Sequence, residues 1–311
     1  MSVWLPSAPC TPRTCIGSTG SVTAVPRAVL RFVAVLVVVA TGAALTPIGG
    51  RIPARAVRWW CRTIVRAAGI RLRITGSTTP TGGLLLVANH ISWLDIPLMA
   101  AVRPARMLAK AEIRHWPVAG TLTAGSGALF IDRDRLRALP ETVAAIAGAL
   151  RAGGAVAVFP EGSTWCGLAQ GHFRRAVFQA ALDAGVPVQP VGLHYVTEGG
   201  TASTAPAFVG SDSLLTSVWR VVSTRGLVAD VEVGETIAPG SHPDRRSLAH
   251  AAQNGVSGRA HHPDHCTSVA RTPVKIRRTT RRRPASVAAM RIIRHTGTAT
   301  ARATSSPAAD A

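Results

Sequence analysis

His90 and Asp95 stand five positions apart, directly after the apolar run Leu84-Leu85-Leu86-Val87-Ala88. Histidine is the side chain whose ordinary pKa lies closest to neutrality, so a histidine at a strand end suits a general base. A carboxylate beside it would fix the ring tautomer and stabilise the imidazolium formed when it takes a proton. A second reading is open at this point. Ser92-Trp93-Leu94-Asp95 fits a capping box, in which Asp95 only caps a helix and His90 is an ordinary loop residue.

Three further clusters follow. Gly127-Ala128-Leu129-Phe130-Ile131-Asp132-Arg133 sets an acid and an arginine after a short apolar run. Phe159-Pro160-Glu161-Gly162-Ser163-Thr164 offers a carboxylate, a glycine turn and two hydroxyls. Val186-Pro187-Val188-Gln189-Pro190-Val191 is a strand interrupted by proline. Taken singly, Pro and Gly at strand ends mark ordinary turns, and Asp132-Arg133 could be a surface pair of little worth.

These clusters need a scaffold, and apolar runs alternating with helical periodicity supply one. Ile70–Ile74 alternates like a half-exposed edge strand. Leu84–Ala88, Ala105–Ala109, Leu129–Ile131, Ala155–Phe159, Val186–Leu193 and Leu227–Val233 read as further strands, with helices at Pro140–Arg151 and Phe173–Ala184. This rhythm predicts an α/β fold: a mixed, mostly parallel sheet flanked by helices, with an N-terminal membrane-associated helical segment.

The 311 residues carry a net charge of +20, spread unevenly. No Asp or Glu precedes Asp95, whereas ten Arg do. Residues 32–49 hold no charge, which is just long enough to cross a hydrocarbon core or to dip into one. A cleaved signal peptide is the rival, with an unusually long n-region. Arg51, Arg55, Arg58, Arg62 and Arg66 then recur on one helical face beside an apolar one bearing Trp60, as in a helix lying among lipid headgroups. The expected divisions are a disordered N-terminus (1–26), a membrane anchor with its amphipathic helix (27–68), a catalytic domain (69–244) and a basic, largely disordered tail (245–311). Nucleic acid is a poor fit as partner, because few aromatics interleave with the basic tail. Cys10, Cys15, Cys61, Cys166 and Cys266 show no metal-ligand spacing, so they read as reduced thiols with no metal site.

Taken together and in order, the four clusters resemble the glycerolipid acyltransferase family, which includes 1-acylglycerol-3-phosphate acyltransferases. Asn89-His90…Asp95 is similar to its first motif, NHxxxxD. Gly127…Asp132-Arg133 is similar to the second, Phe159-Pro160-Glu161-Gly162 to the third and Val186–Pro190 to the fourth. The resemblance spans about residues 50–235. It implies that His90 is the base, that Asp95 holds its ring, and that a lysolipid hydroxyl attacks an acyl thioester without an acyl-enzyme. It further implies an acceptor site shaped by Asn89, Arg133, Glu161, Gly162, Ser163 and Thr164, with Lys110 adding charge. No cofactor is implied beyond acyl-CoA or acyl-carrier protein as co-substrate. The implied location is the cell membrane, with the active site on the cytoplasmic side.

One departure stands out. Many members that use lysophosphatidic acid carry an arginine shortly after the Glu-Gly of the third motif; here Thr164 occupies that place. Arg174 or Arg175 would have to compensate, or the acceptor is another lysolipid such as a lyso-ornithine lipid. A secreted serine hydrolase fares poorly as a third reading, since there is no G-x-S-x-G elbow. A basic lipid- or nucleic-acid-binding protein without catalysis remains the non-enzymatic alternative.

Overall fold

Leu84–Ala88 is apolar at every position, the pattern of a strand covered on both faces, and all five residues are fully buried. The computed structural model describes residues 8–17, 25–45, 52–132 and 135–257. Its strands are β1 (Arg71–Gly76), β2 (Leu84–Ala88), β3 (Arg106–Lys110), β4 (Leu129–Ile131), β5 (Ala155–Val158), β6 (Val188–Thr197) and β7 (Leu227–Val233). Its α-helices are α1 (Pro12–Cys15), α2 (Val25–Leu45), α3 (Ala54–Ala67), α4 (Asp95–Val102), α5 (Pro117–Gly125), α6 (Leu139–Arg151), α7 (Ala176–Ala184), α8 (Leu214–Ser223) and α9 (Arg245–Val256).

The seven strands form one sheet in the order β1-β7-β6-β2-β5-β3-β4. Every pairing is parallel except β6 with β7, so the expected mixed, mostly parallel sheet is what forms. β1 is an edge strand, as expected, but it is exposed at every position except Leu72 rather than on alternate residues. Alternate residues of β2 feed two cores. Leu84, Leu86 and Ala88 pack with Val35, Val65, Leu98, Met99 and Val221 from α2, α3, α4 and α8. Leu85 and Val87 pack with Ile146, Leu150, Phe178 and Leu248 from α6, α7 and α9. Helices therefore cover both faces, and each fully buried Leu or Ile contributes roughly 1.5–3 kcal/mol.

This topology gathers the motifs. β2, β3, β4 and β5 run parallel, so their C-terminal ends carry His90, Lys110, Asp132 and Glu161 along one edge of the sheet. Such an edge, where strand connections diverge to either side, is where α/β sheets hold ligands. The proline stretch Val186–Pro190 behaves differently. Leu85 pairs with Val188 and Ala88 with Val191, so the stretch enters at the opposite edge. Only its continuation, Leu193 to Tyr195, reaches the level of His90.

The first residues assigned to the disordered tail are ordered. Residues 245–256 are α9, capped by Asp244, which accepts from the N–H groups of Arg246 and Ser247. Its polar composition hides an apolar stripe, Leu248, Ala249, Ala252 and Val256, that is buried against the sheet. Residues 258–311 lie outside those described.

Near the N-terminus, α2 starts earlier than the uncharged run and includes two arginines. Arg31 donates to Val222 O (3.1 Å) and Thr224 O (2.9 Å), and Arg27 to Ser223 O (3.4 Å). These carbonyls at and beyond the end of α8 have no helical partners of their own, and cations suit them. The far half of α2 is held by α3: Trp60 Nε1–H donates to Val38 O (2.9 Å), and its ring fills the space a side chain at Gly42 would need. Arg55, Arg62 and Arg66 of the basic stripe are exposed and Arg58 half-buried; Arg51 lies outside the described residues.

Candidate active site

The turn after β2 is built around one carboxylate. Asp95 is fully buried, and its Oδ2 accepts from His90 Nδ1 (2.8 Å) and from the backbone N–H groups of Ile91 (2.6 Å) and Ser92 (2.8 Å). Its Oδ1 accepts from the Tyr195 hydroxyl (2.7 Å). A carboxylate only accepts, so Nδ1 carries the ring proton and the Nε2 lone pair is left for chemistry. The two readings of Asp95 prove to be one arrangement: it caps the Ser92 N–H in the manner of a capping box and grips His90 as well.

The imidazole is held from other sides too. The Phe159 ring stacks on it, with centroids 4.0 Å apart and planes within 8°. The backbone is fixed as well: the Trp165 main-chain N–H donates to the His90 carbonyl oxygen (2.7 Å). The His90 side chain retains 21% exposure while Asp95 has none, so the base faces an accessible edge and its anchor does not. Burial, together with the Asp95 charge, pushes the Tyr195 phenol well above its ordinary value, so it remains a donor to Asp95.

Two residues expected at the acceptor site have their polar atoms bonded to backbone groups. Asn89 is buried, and both ends of its amide are spent on Leu193: Nδ2 donates to Leu193 O (2.9 Å), and Oδ1 accepts from Leu193 N–H (2.8 Å). It latches the end of β2 to β6 beyond the last ladder bond. Asn89→Ala would strand a buried N–H and C=O, and a loss of about 2–4 kcal/mol is expected from chemical denaturation in detergent. A stability within experimental error of wild type would refute the latch.

Glu161 is the second. Its Oε2 accepts from His90 N–H (2.7 Å) and its Oε1 from Gly171 N–H (2.9 Å), so both oxygens hold backbone. Burial pushes its carboxyl well above the usual range, and the two N–H donors pull it back only in part. The native group thus binds its proton more tightly than the unfolded one. Stability falls as pH rises between the ordinary value of 4.5 and the raised native value, by up to about 1.4 kcal/mol per pH unit. Glu161→Gln loses one acceptor, costing about 1–3 kcal/mol at acidic pH. The wild type's advantage over this variant should shrink as pH rises; a constant gap would contradict the assignment.

Gly162 adopts φ +73°, the left-handed region that lets the chain turn away after Glu161. Ser163 and Thr164 are half-buried beside it, and the Thr164 hydroxyl donates to Phe208 O. Lys110 is exposed at the end of β3 and pairs in register with Ile131, next to Asp132. Arg133 lies outside the described residues.

The site also contains groups to which the sequence assigned no role. Phe159 and Tyr195, the chain's one tyrosine, are the ring's stacking partner and the second anchor of Asp95. Residues 204–212 form a further wall: Phe208 N–H donates to Ile91 O (2.9 Å). Arg220 of α8 holds that wall through Ala205 O (2.7 Å), Ala207 O (2.6 Å) and Asp212 (2.6 Å). Gln253 of α9 accepts from Phe173 N–H (3.0 Å) and donates to Gly171 O (3.2 Å), closing the loop that Glu161 opens.

Comparison with known proteins follows the same lines. The acyltransferase family model matches residues 71–194. A lyso-ornithine lipid O-acyltransferase of Pseudomonas aeruginosa is 37% identical over 217 residues, 69% of this chain and 80% of that protein. A 1-acyl-sn-glycerol-3-phosphate acyltransferase of Neisseria meningitidis serogroup B is 35% identical over 221 residues, 70% of this chain and 86% of that one. In fold, the chain is similar to the crystal structure of the 1-acyl-sn-glycerophosphate (LPA) acyltransferase from Thermotoga maritima. The TM-score is 0.56 at 18% identity, over 80% of this chain and 97% of the other. With relatives of this identity matched over most of their length, the chain belongs to the glycerolipid acyltransferase family.

Proposed function

We propose that this acyltransferase moves a fatty acyl chain from a thioester, acyl-CoA or acyl-carrier protein, to the free hydroxyl of 1-acylglycerol-3-phosphate. The observation that carries the reading is the His90 ring, anchored at Nδ1 by Asp95 and partly exposed at the sheet edge. His90 Nε2 takes the proton of the acceptor hydroxyl as its oxygen attacks the thioester carbonyl. The imidazolium, stabilised by Asp95, returns that proton to the departing thiolate. No covalent enzyme intermediate enters the sequence of steps.

Lys110, and Arg114, which lies over the Phe130 ring at 4.2 Å, offer exposed charge for a phosphate on this side of the sheet. Exposed Arg174 follows the third motif, its N–H bonded to Pro160 O (2.8 Å). One observation favours a second reading. The Thr164 hydroxyl is turned to a backbone carbonyl at the place where many members that use lysophosphatidic acid have an arginine. A lyso-ornithine lipid, the acceptor named for the Pseudomonas relative, suits such a site.

The membrane reading rests on exposed apolar side chains. α2 is long and apolar enough to cross a membrane, and Leu30, Val33, Leu36 and Val37 are exposed along it. Trp59 of α3 and Leu214, Leu215 and Trp219 of α8 are exposed as well, with Trp219 edge-on to Phe32. Residues 8–17 before α2 and β1 after α3 both dock on the same domain, which favours a hairpin dipping into one leaflet over a span. The side would be cytoplasmic, where acyl thioesters are made.

The test is acyl transfer by the full chain in mixed micelles, with product mass as readout. Lysophosphatidic acid and lyso-ornithine lipid are each paired with acyl-CoA and acyl-carrier protein. Phosphatidic acid from the first acceptor is expected. Product from the second alone would select the second reading, and no product from any pair would reject both.

A further inference from the structure

Three thiols that are far apart in sequence meet at one point behind the catalytic loop. The sulfur atoms of Cys10, Cys15 and Cys166 all lie within 4.8 Å of one another, and none is in a disulfide. The residues are 1%, 8% and 0% exposed. Spacing along the chain predicted no metal site; the fold makes one available by bringing the N-terminal segment against the residue after Trp165. We propose that the three cysteines bind one soft d10 cation, zinc first, as thiolates.

The geometry suits this chemistry. Metal–sulfur bonds of about 2.3 Å at trigonal or tetrahedral angles put sulfurs roughly 3.8–4.0 Å apart, inside the observed limit. A donor set of sulfur alone selects zinc or cuprous ion over hard cations. A disulfide would join two of the thiols and leave the third buried beside them. Zinc binding releases three thiol protons and leaves a net charge of −1, whereas cuprous ion would leave −2, so burial favours zinc. The Thr14 hydroxyl, 3.5 Å from Cys15 Sγ, is placed to hydrogen-bond a thiolate.

The site also answers a packing question. Residues 8–17 carry only the four-residue α1, too short to be stable by itself. The segment touches the domain through Gly17 N–H to Thr204 Oγ1 (3.4 Å) and through Cys10 O, packed where Gly210 has no side chain. A metal shared with Cys166 adds a cross-link to the packing of Ala8, Cys10, Cys15 and Ile16 against the core, since metal binding to such a segment is folding free energy. It fastens the segment to the 204–212 wall and to the loop whose Trp165 N–H holds His90 O. The role is structural, and it does not depend on which acceptor the enzyme uses.

The experiment is elemental analysis of the full-length protein, purified in detergent with reductant and without chelator. About one zinc (or copper) per chain is expected, falling at least roughly tenfold in Cys10→Ser and in Cys15→Ser but not in Cys61→Ser. Circular dichroism of each variant checks the fold. Bound metal should also shield Cys10, Cys15 and Cys166 from maleimide, with all three becoming reactive after chelation. The proposal is overturned by a wild type that takes up neither metal after incubation with zinc or cuprous salt under reductant. It is equally overturned if all three thiols react at the same rate with and without metal, or if intact mass reveals a disulfide among them.

Discussion

Replacing His90 by alanine should lower acyl transfer by roughly 100- to 10,000-fold, the usual worth of a positioned general base. The fold should survive. The ring is partly exposed, and without it Asp95 still accepts from Ile91, Ser92 and Tyr195. What is lost is the Nε2 lone pair that the bond at Nδ1 orients. His90→Gln is the companion variant, since it restores bulk under Phe159 but cannot shuttle a proton at neutral pH. Rates at saturating acceptor and donor, beside a denaturation midpoint, separate chemistry from folding. Turnover near the wild-type rate in either variant would remove His90 from the mechanism.

Asp95 should give the second large effect, and its two variants should fail in different ways. Asp95→Ala removes the acceptor of four donors in a fully buried turn. Two backbone N–H groups and a phenol are left without partners, so a loss of about 3–5 kcal/mol of stability is expected, with activity falling alongside it. Asp95→Asn keeps the shape. Its amide oxygen can occupy the place of Oδ2, and the Tyr195 hydroxyl can turn to accept from the amide. The negative charge that stabilises the imidazolium is gone, so a fall of about 100-fold or more with a modest stability change is expected. An Asp95→Asn enzyme that folds and turns over normally would mean that Asp95 only caps the turn. The pair of variants thus weighs capping against catalysis at one residue.

Phe159 and Tyr195 explain how far the site could be read in advance. The base and its carboxylate were legible because they are five residues apart, and one turn brings them together whatever surrounds it. The acyltransferase family was legible because four clusters fell in order. The roles of Asn89 and Glu161 were not. Both carry polar groups suited to a ligand, but buried polar atoms take the nearest good partner, and strand register decides what that is. Leu193 is brought to Asn89 by the pairing of β2 with β6, and Gly171 to Glu161 by a loop that α9 closes. Register also decides where the fourth cluster lies: its prolines start β6 at the far edge, and Tyr195, further along that strand, reaches Asp95.

Local pattern alone determined the buried strands, the alternating α/β order, the turn that joins His90 to Asp95 and the basic, apolar N-terminal helices, because each depends on side chains within a few residues. Tertiary structure alone decided that Tyr195 supports Asp95, that Glu161 and Asn89 serve the backbone, that α9 belongs to the domain, and that Cys10 and Cys15 meet Cys166. Those partners are separated by up to 156 residues, from Cys10 to Cys166. Only the burial of both sheet faces, which sets the order and register of the strands, brings them within bonding distance.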